Sequence, residues 1–273
     1  MDVIILGSGS PMPHPERAGP ATLVQVGGHR YLFDCGRGVL MRAAAAGFGA
    51  QNISALFLTH MHSDHTTDFN DIITTRWVMS PGPNPLRVFG PGGVGTFTER
   101  TLAALETDIG YRLAHHEDLT EGPRVVPREL EPGAVLEENG VRILAMPTDH
   151  SPVHPTLGFR IEAEGKVVAI AGDTVPCDGL DAICQDADVY VQTVIRSDLI
   201  SQAPALRMRD VIDYHSDVAQ AGETARRCNV RHLVLNHFVP APPPGREEEW
   251  AADARACFDG QITVSHDLLK ITC

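Results

Sequence analysis

THMHSDHTTD, residues 59–68, decides how the rest of the chain is read. His60, His62, Asp64 and His65 follow directly on the apolar run ALFL (55–58). A run of that kind reads as a strand, and residues two apart on an extended segment point the same way. His60 and His62 therefore face one point. Asp64 and His65 come where a helix can begin, and they can turn toward a second point. One short loop can thus supply two ligands to each of two neighbouring metal ions. Imidazole and carboxylate together suit zinc, with bonds of roughly 2.0–2.2 Å. A polar surface loop would also tolerate a histidine, but four metal-binding side chains at this spacing argue for a site.

Two metals need more donors than one loop gives. VRILAMPTDH puts His150 just past a strand, VVAIAGDT puts Asp173 just past another, and HLVLNHF puts His237 at the end of a third. Strand ends are where α/β proteins place their sites. Taken alone, His150 could be a loop histidine, Asp173 a helix N-cap and His237 a buried, hydrogen-bonded ring. Taken in order after the first motif, they complete a set.

In that order, HxHxDH, then His, then GDT, then a final His, the chain resembles the metallo-β-lactamase superfamily. Within it the chain is similar to the ribonuclease Z group and its arylsulfatase-like relatives, through GSGSP, FDCGRG, LTHMHSDH, TDHSPVHPTLGFRI, AGDT, YHS and LNHF. The resemblance runs over nearly the whole chain. It implies the four-layer αββα sandwich, an α/β fold, with residues 1–273 as a single hydrolase domain. It also implies that His60, His62 and His150 hold one zinc ion, that Asp64, His65 and His237 hold the other, and that Asp173 bridges them. Manganese or ferrous iron could fill the same positions. Asp64 and His215, the latter in DYHS (213–216), become the catalytic candidates: Asp64 to orient the nucleophile, His215 to stabilise charge or protonate a leaving oxygen. His215 could instead cap a helix starting at Ser216. Asp34 and Cys35, in the DCG segment, are expected to fix the turn behind the first metal loop, and Asp34 could also orient a ligand histidine from behind.

Three departures bear on the substrate. The tRNA-processing members carry a long basic arm between the third motif and GDT. Here His150 and Asp173 are 23 positions apart, and GFRIEAEGKVVAIAGDT reads as a bare hairpin. Ser63 stands where glycine is usual, and TTDFNDIITTRW (66–77) replaces the usual continuation, closer to the arylsulfatase-like branch. Lys and Arg total 22 against 35 Asp and Glu, a formal net charge of −13. That is a poor complement to a polyanion. The expected activity is therefore zinc-dependent phosphodiester hydrolysis on a small anionic ester. The alternatives are tRNA 3′-end processing, and sulfate, lactone or other ester hydrolysis by the same metals.

The remaining stretches are less informative. Further strands are expected at 3–6, 22–26, 31–33, 86–89, 141–146, 157–161, 167–171, 188–194 and 232–236, and helices at 38–47, 66–79, 94–107, 216–228 and 247–258. GSGS (7–10) lacks the lysine and helix of a phosphate loop and reads as a tight turn. Residues 108–131, with His115 and His116, match no metal motif and read as a family-specific insert or lid. Phe69, Trp77 and Met79 read as core, with a pocket wall as the second choice. Arg196 could meet an anionic substrate or pair with Asp198. The N-terminus lacks the basic start of a signal peptide, no run reaches the ~20 apolar residues of a membrane span, and the six cysteines show no pattern. A cytoplasmic protein with reduced thiols is expected, and the family resemblance adds a homodimer.

Overall fold

The computed structural model describes residues 1–273, the Val135 side chain excepted. Among the described residues the chain forms two seven-stranded sheets. The first contains β1 (Asp2–Gly7), β2 (Ala21–Val26), β3 (His29–Phe33), β4 (Ala55–Phe57), β5 (Leu86–Gly90), β6 (Val125–Glu129) and β14 (Leu269–Thr272), in the order β14-β1-β2-β3-β4-β5-β6. The second contains β7 (Val135–Glu138), β8 (Val141–Pro147), β9 (Leu157–Ala163), β10 (Lys166–Ile170), β11 (Val189–Ile195), β12 (His232–Val239) and β13 (Gln261–Val264), in the order β13-β12-β11-β10-β9-β8-β7.

Period-2 alternation builds the layers. Tyr31 and Phe33 on β3, and Ala55 and Phe57 on β4, face Phe159 and Ile161 on β9, and Val189 and Val191 on β11, in one inter-sheet core. Phe57 stacks on Phe33 and Phe89 at 5.0 and 4.9 Å and meets Phe159 edge-on at 5.5 Å. The intervening residues turn outward. Leu32, Leu56 and Val88 pack against helices that include Val39–Ala45 and Phe69–Met79. Tyr190, Leu233 and Leu235 pack against Asp178–Cys184, Val218–Arg227 and Glu247–Arg255. The result is the αββα sandwich that the sequence implied.

Strand direction places the site. In the second sheet β9 runs antiparallel to both β8 and β10, while β10, β11 and β12 are parallel. The C-terminal ends of β8, β10 and β12 therefore share one edge. The Leu157 N–H donates to the Thr59 carbonyl at 2.9 Å, which holds the end of β4 against that edge.

Several expectations are corrected. The stretch 66–79 is two helices, Ser63–Thr66 and Phe69–Met79, and 94–107 is the start of two, Val94–Ala104 and Glu106–His115. Residues 108–131 are not an insert or lid: they finish the second of these helices and supply β6, which pairs in parallel with β5. Asp217, not His215 or Ser216, caps Val218–Arg227, in a reciprocal box with Gln220. β12 runs on past His237 to Val239. The hairpin between β9 and β10 is bare, with Glu164 and Gly165 at φ 54° and 70° forming its two-residue turn. All six cysteines are free. Among the described residues no helix is long and apolar enough to cross a membrane.

Candidate metal centre

The loop after β4 and the ends of β8, β10 and β12 bring all seven predicted donors together. His60, His62, His150 and Asp173 form one cluster, and Asp64, His65 and His237 the other, each with its candidate atoms within 4.8 Å of one another. Asp173 Oδ2 lies between them, 3.8 and 4.0 Å from the Nε2 atoms of His60 and His150, and 3.3 and 3.6 Å from those of His65 and His237. His237 Nε2 is also 3.1 Å from Asp64 Oδ2.

Several outer ring nitrogens are committed elsewhere, which sets which nitrogen faces inward. His65 Nδ1 donates to Asp34 Oδ2 at 2.8 Å, and His150 Nδ1 to the Tyr214 carbonyl at 2.7 Å. His60 Nδ1 lies 3.0 Å from the Thr59 hydroxyl, which itself donates to Asp34. Asp34 thus braces two histidines of different clusters through one buried carboxylate, as the DCG segment led one to expect. It does so at φ 60°, and His237 sits at φ 49°. For an L-residue such a backbone costs about 1–2 kcal/mol; at His237 it turns the side chain inward from within β12, and at Asp34 it follows directly on the end of β3.

Two motif glycines are explained by close approach. A Cβ on Gly36 would lie 2.6 Å from the Asp64 carbonyl oxygen, so the FDCGRG loop can back the metal loop only as glycine. Gly172, at φ 66°, presses against Thr59 and delivers Asp173.

The centre holds strong opposing charges. Burial pushes the imidazoles of His60 and His62 down, His60 well below the usual histidine range, and takes His150 to about 4. Burial also opposes charge on His65 and His237, yet Asp173, with Asp34 for the first and Asp64 for the second, holds both above that range. Asp173 is held well below the carboxylate range, because the charges of His237 and His65 outweigh its burial. His65 Nε2 and Asp173 Oδ1 are buried without a hydrogen-bond partner and belong to this centre. Orphaned donors in a dense imidazole–carboxylate set are what a divalent cation satisfies, so the residues fit a pair of metal ions.

A family model described as the beta-lactamase superfamily domain matches residues 29–238. Ribonuclease Z of Mycobacterium bovis (strain BCG / Pasteur 1173P2) is 50% identical over 273 residues, covering 99% of this chain and 98% of the relative. Ribonuclease Z of Mycolicibacterium gilvum is 52% identical, covering 99% and 96%. The chain belongs to the metallo-β-lactamase superfamily, in its ribonuclease Z group. Solved structures agree on the fold. The metallo-β-lactamase fold protein YhfI of Bacillus subtilis superposes with a TM-score of 0.76 at 19% identity, covering 99% of this chain and 98% of that one. Human tRNase Z, short form, gives 0.73 at 24%, covering 100% and 99%. As a member of the ribonuclease Z group of this superfamily the protein is a metal-dependent hydrolase.

His215 lies beside the centre, its Nδ1 donating to the Val211 carbonyl at 2.8 Å and its Nε2 3.3 Å from Asp173 Oδ2. Arg196 is paired with Asp198 through two contacts of 2.7 and 2.6 Å and is not free for an anion. Phe69 is core, Trp77 donates to the Glu121 carbonyl, and Met79 is exposed, so none of them lines this site. His115 and His116 are exposed and join no donor cluster. Sequence reasoning missed the carbonyls of Tyr214 and Val211, since any residue supplies a carbonyl. It also missed the apolar wall above the donor clusters, which comes from 199–211.

Proposed function

We propose that the protein is a dizinc phosphodiesterase. His60, His62 and His150 would hold one ion, Asp64, His65 and His237 the other, and Asp173 both. The single observation that carries this reading is the Asp173 carboxylate: one oxygen is set among four inward nitrogens and the other is buried without a partner. Zinc bound there would lower the pKa of water toward neutrality and polarise a phosphoryl oxygen.

The chain's own residues do the rest. Asp64 and His215 both line the cavity above the centre. Asp64 orients the attacking water and accepts its proton. His215, its Nδ1 held by the Val211 carbonyl, presents Nε2 to the substrate. There it stabilises the developing charge or protonates the leaving oxygen. Asp34 fixes His65 and, through Thr59, His60, so the donors need not reorganise during turnover.

A small diester is favoured over tRNA by the bare β9–β10 hairpin and the net charge of −13. The tRNA 3′-processing reading is favoured by the name its relatives carry. The M. bovis relative that carries this name aligns with this chain over 98% of its own length. Sulfate or carboxylate esters are a third class open to the same metals. Release of p-nitrophenol from bis(p-nitrophenyl) phosphate by the zinc-loaded protein, with loss in His65→Ala, is the expected result. Equal rates for the two proteins would overturn the proposal. Cleavage of a precursor tRNA in parallel would move the substrate to RNA, and aryl sulfate turnover well above diester turnover would move it to sulfate esters.

A further inference from the structure

The donor clusters form the floor of a cavity of about 430 Å³, a size suited to a small organic ligand. Its walls are unlike its floor. Met12 comes from the loop after β1, and Leu199, Met208 and Val211 come from the irregular segment ahead of His215. Met12, Leu199 and Met208 are each 43–46% exposed, although they are large and apolar. Three such side chains converging over a metal floor cost stability unless something covers them. The floor identifies the cover. A protein segment filling this cavity would block His62, Asp64, Asp173 and His215, which line the same space. What lies against the wall is therefore part of the molecule whose reacting group lies on the floor.

The wall also says what that part is made of. Apart from the donors and His215, its polar side chains are Arg207 and Tyr214; no Asn, Gln, Ser or Thr lines it. A subsite that read the edges of a polar group would need such donors and acceptors. This one has dispersion and thioether contacts instead, which suit a flat, uncharged ring. Arg207 has no ion-pair or hydrogen-bond partner among the described residues. In an acidic chain it is the cationic side chain that borders the cavity.

We infer that the Leu199–Val211 wall, with Met12 facing it, is a specificity subsite that binds one apolar, aromatic ester arm of the substrate, and that Arg207 attracts the substrate's negative charge without choosing its arm. This deepens the phosphodiesterase reading and rests on it.

The test uses two diesters with the same leaving group, bis(p-nitrophenyl) phosphate and methyl p-nitrophenyl phosphate, so that the retained arm is the difference. The zinc-loaded wild type should show a KM at least about tenfold lower for the diaryl ester. Leu199→Asp and Met208→Asp should remove that preference while leaving kcat for the methyl ester near wild type. Arg207→Gln should raise KM for both esters alike and keep the preference. Calorimetry with diphenyl and dimethyl phosphate reads the same subsite without turnover: the diphenyl ester should bind at least about tenfold tighter, with a negative heat-capacity change, in wild type but not in Met208→Asp. Conservative Leu199→Ala and Met208→Ala variants should show the partial effect if the aspartates fold poorly. No preference in wild type, or one that persists in all four wall variants, overturns the inference. If neither ester turns over while the calorimetric preference holds, the catalytic reading fails and the subsite stands.

Discussion

The floor and the wall of the cavity are built on opposite principles. The floor is polar, buried and braced: Asp34, Thr59 and the Tyr214 carbonyl hold outer nitrogens of His65, His60 and His150. The wall is apolar, half-open and carried on short irregular helices, Ser197–Ile200 and Leu206–Arg209. A metal centre tolerates little displacement, so its residues sit on strand ends and are tied to neighbouring backbone. A surface that chooses substrates needs shape more than rigidity, and loops can supply it. The reaction class is thus set by the floor, and the choice among esters by the wall.

The sharpest break between them is expected at His215, which touches both. His215→Ala should lower kcat by about 10²- to 10⁴-fold, the range for a lost general acid, with metal content unchanged. Turnover assays paired with elemental analysis check this. Loss of metal in that variant would put His215 among the ligands instead.

A smaller effect separates the two halves of the floor. Ligation needs neutral imidazoles, so a protonated ring must give up its proton before binding metal. Burial holds His60, His62 and His150 below the usual histidine range, so they stay neutral to lower pH than an ordinary imidazole. His65 and His237 are held above it by the carboxylates around them and take protons at higher pH. As pH falls through the histidine range, metal should therefore leave the Asp64–His65–His237 cluster first. Metal retention against pH, in wild type and in His62→Ala, reads the order. Simultaneous loss of both ions would contradict it.

What was legible in the sequence follows the same division. The donors were readable because each stands in or just after an apolar strand of the sheet interior, where side chains alternate between two buried faces. The strands that were not expected, β6, β7, β13 and β14, are the four outer edges of the two sheets. Val126 on β6 is exposed and Lys270 on β14 reaches Asp2 in solvent, so the apolar run that marks a central strand is missing there. Residues 125–129 escaped notice for this reason, and 108–131 looked like an insertion. His237 was placed at a strand end because the apolar pattern breaks at Asn236. The strand continues through it by way of a left-handed residue and a register shift opposite Thr193 and Ile195. The wall was not legible at all. Leu199, Met208 and Val211 show no period that separates a cavity lining from a poorly packed loop.

The central claim is that two metal ions act together on the floor. Its most direct measurement is a titration of metal-free protein with zinc, following bound metal and diester turnover at once. The account predicts turnover near zero until the first equivalent is bound and rising to its maximum as the second binds. Full turnover at one equivalent, or in the metal-free protein, would contradict it.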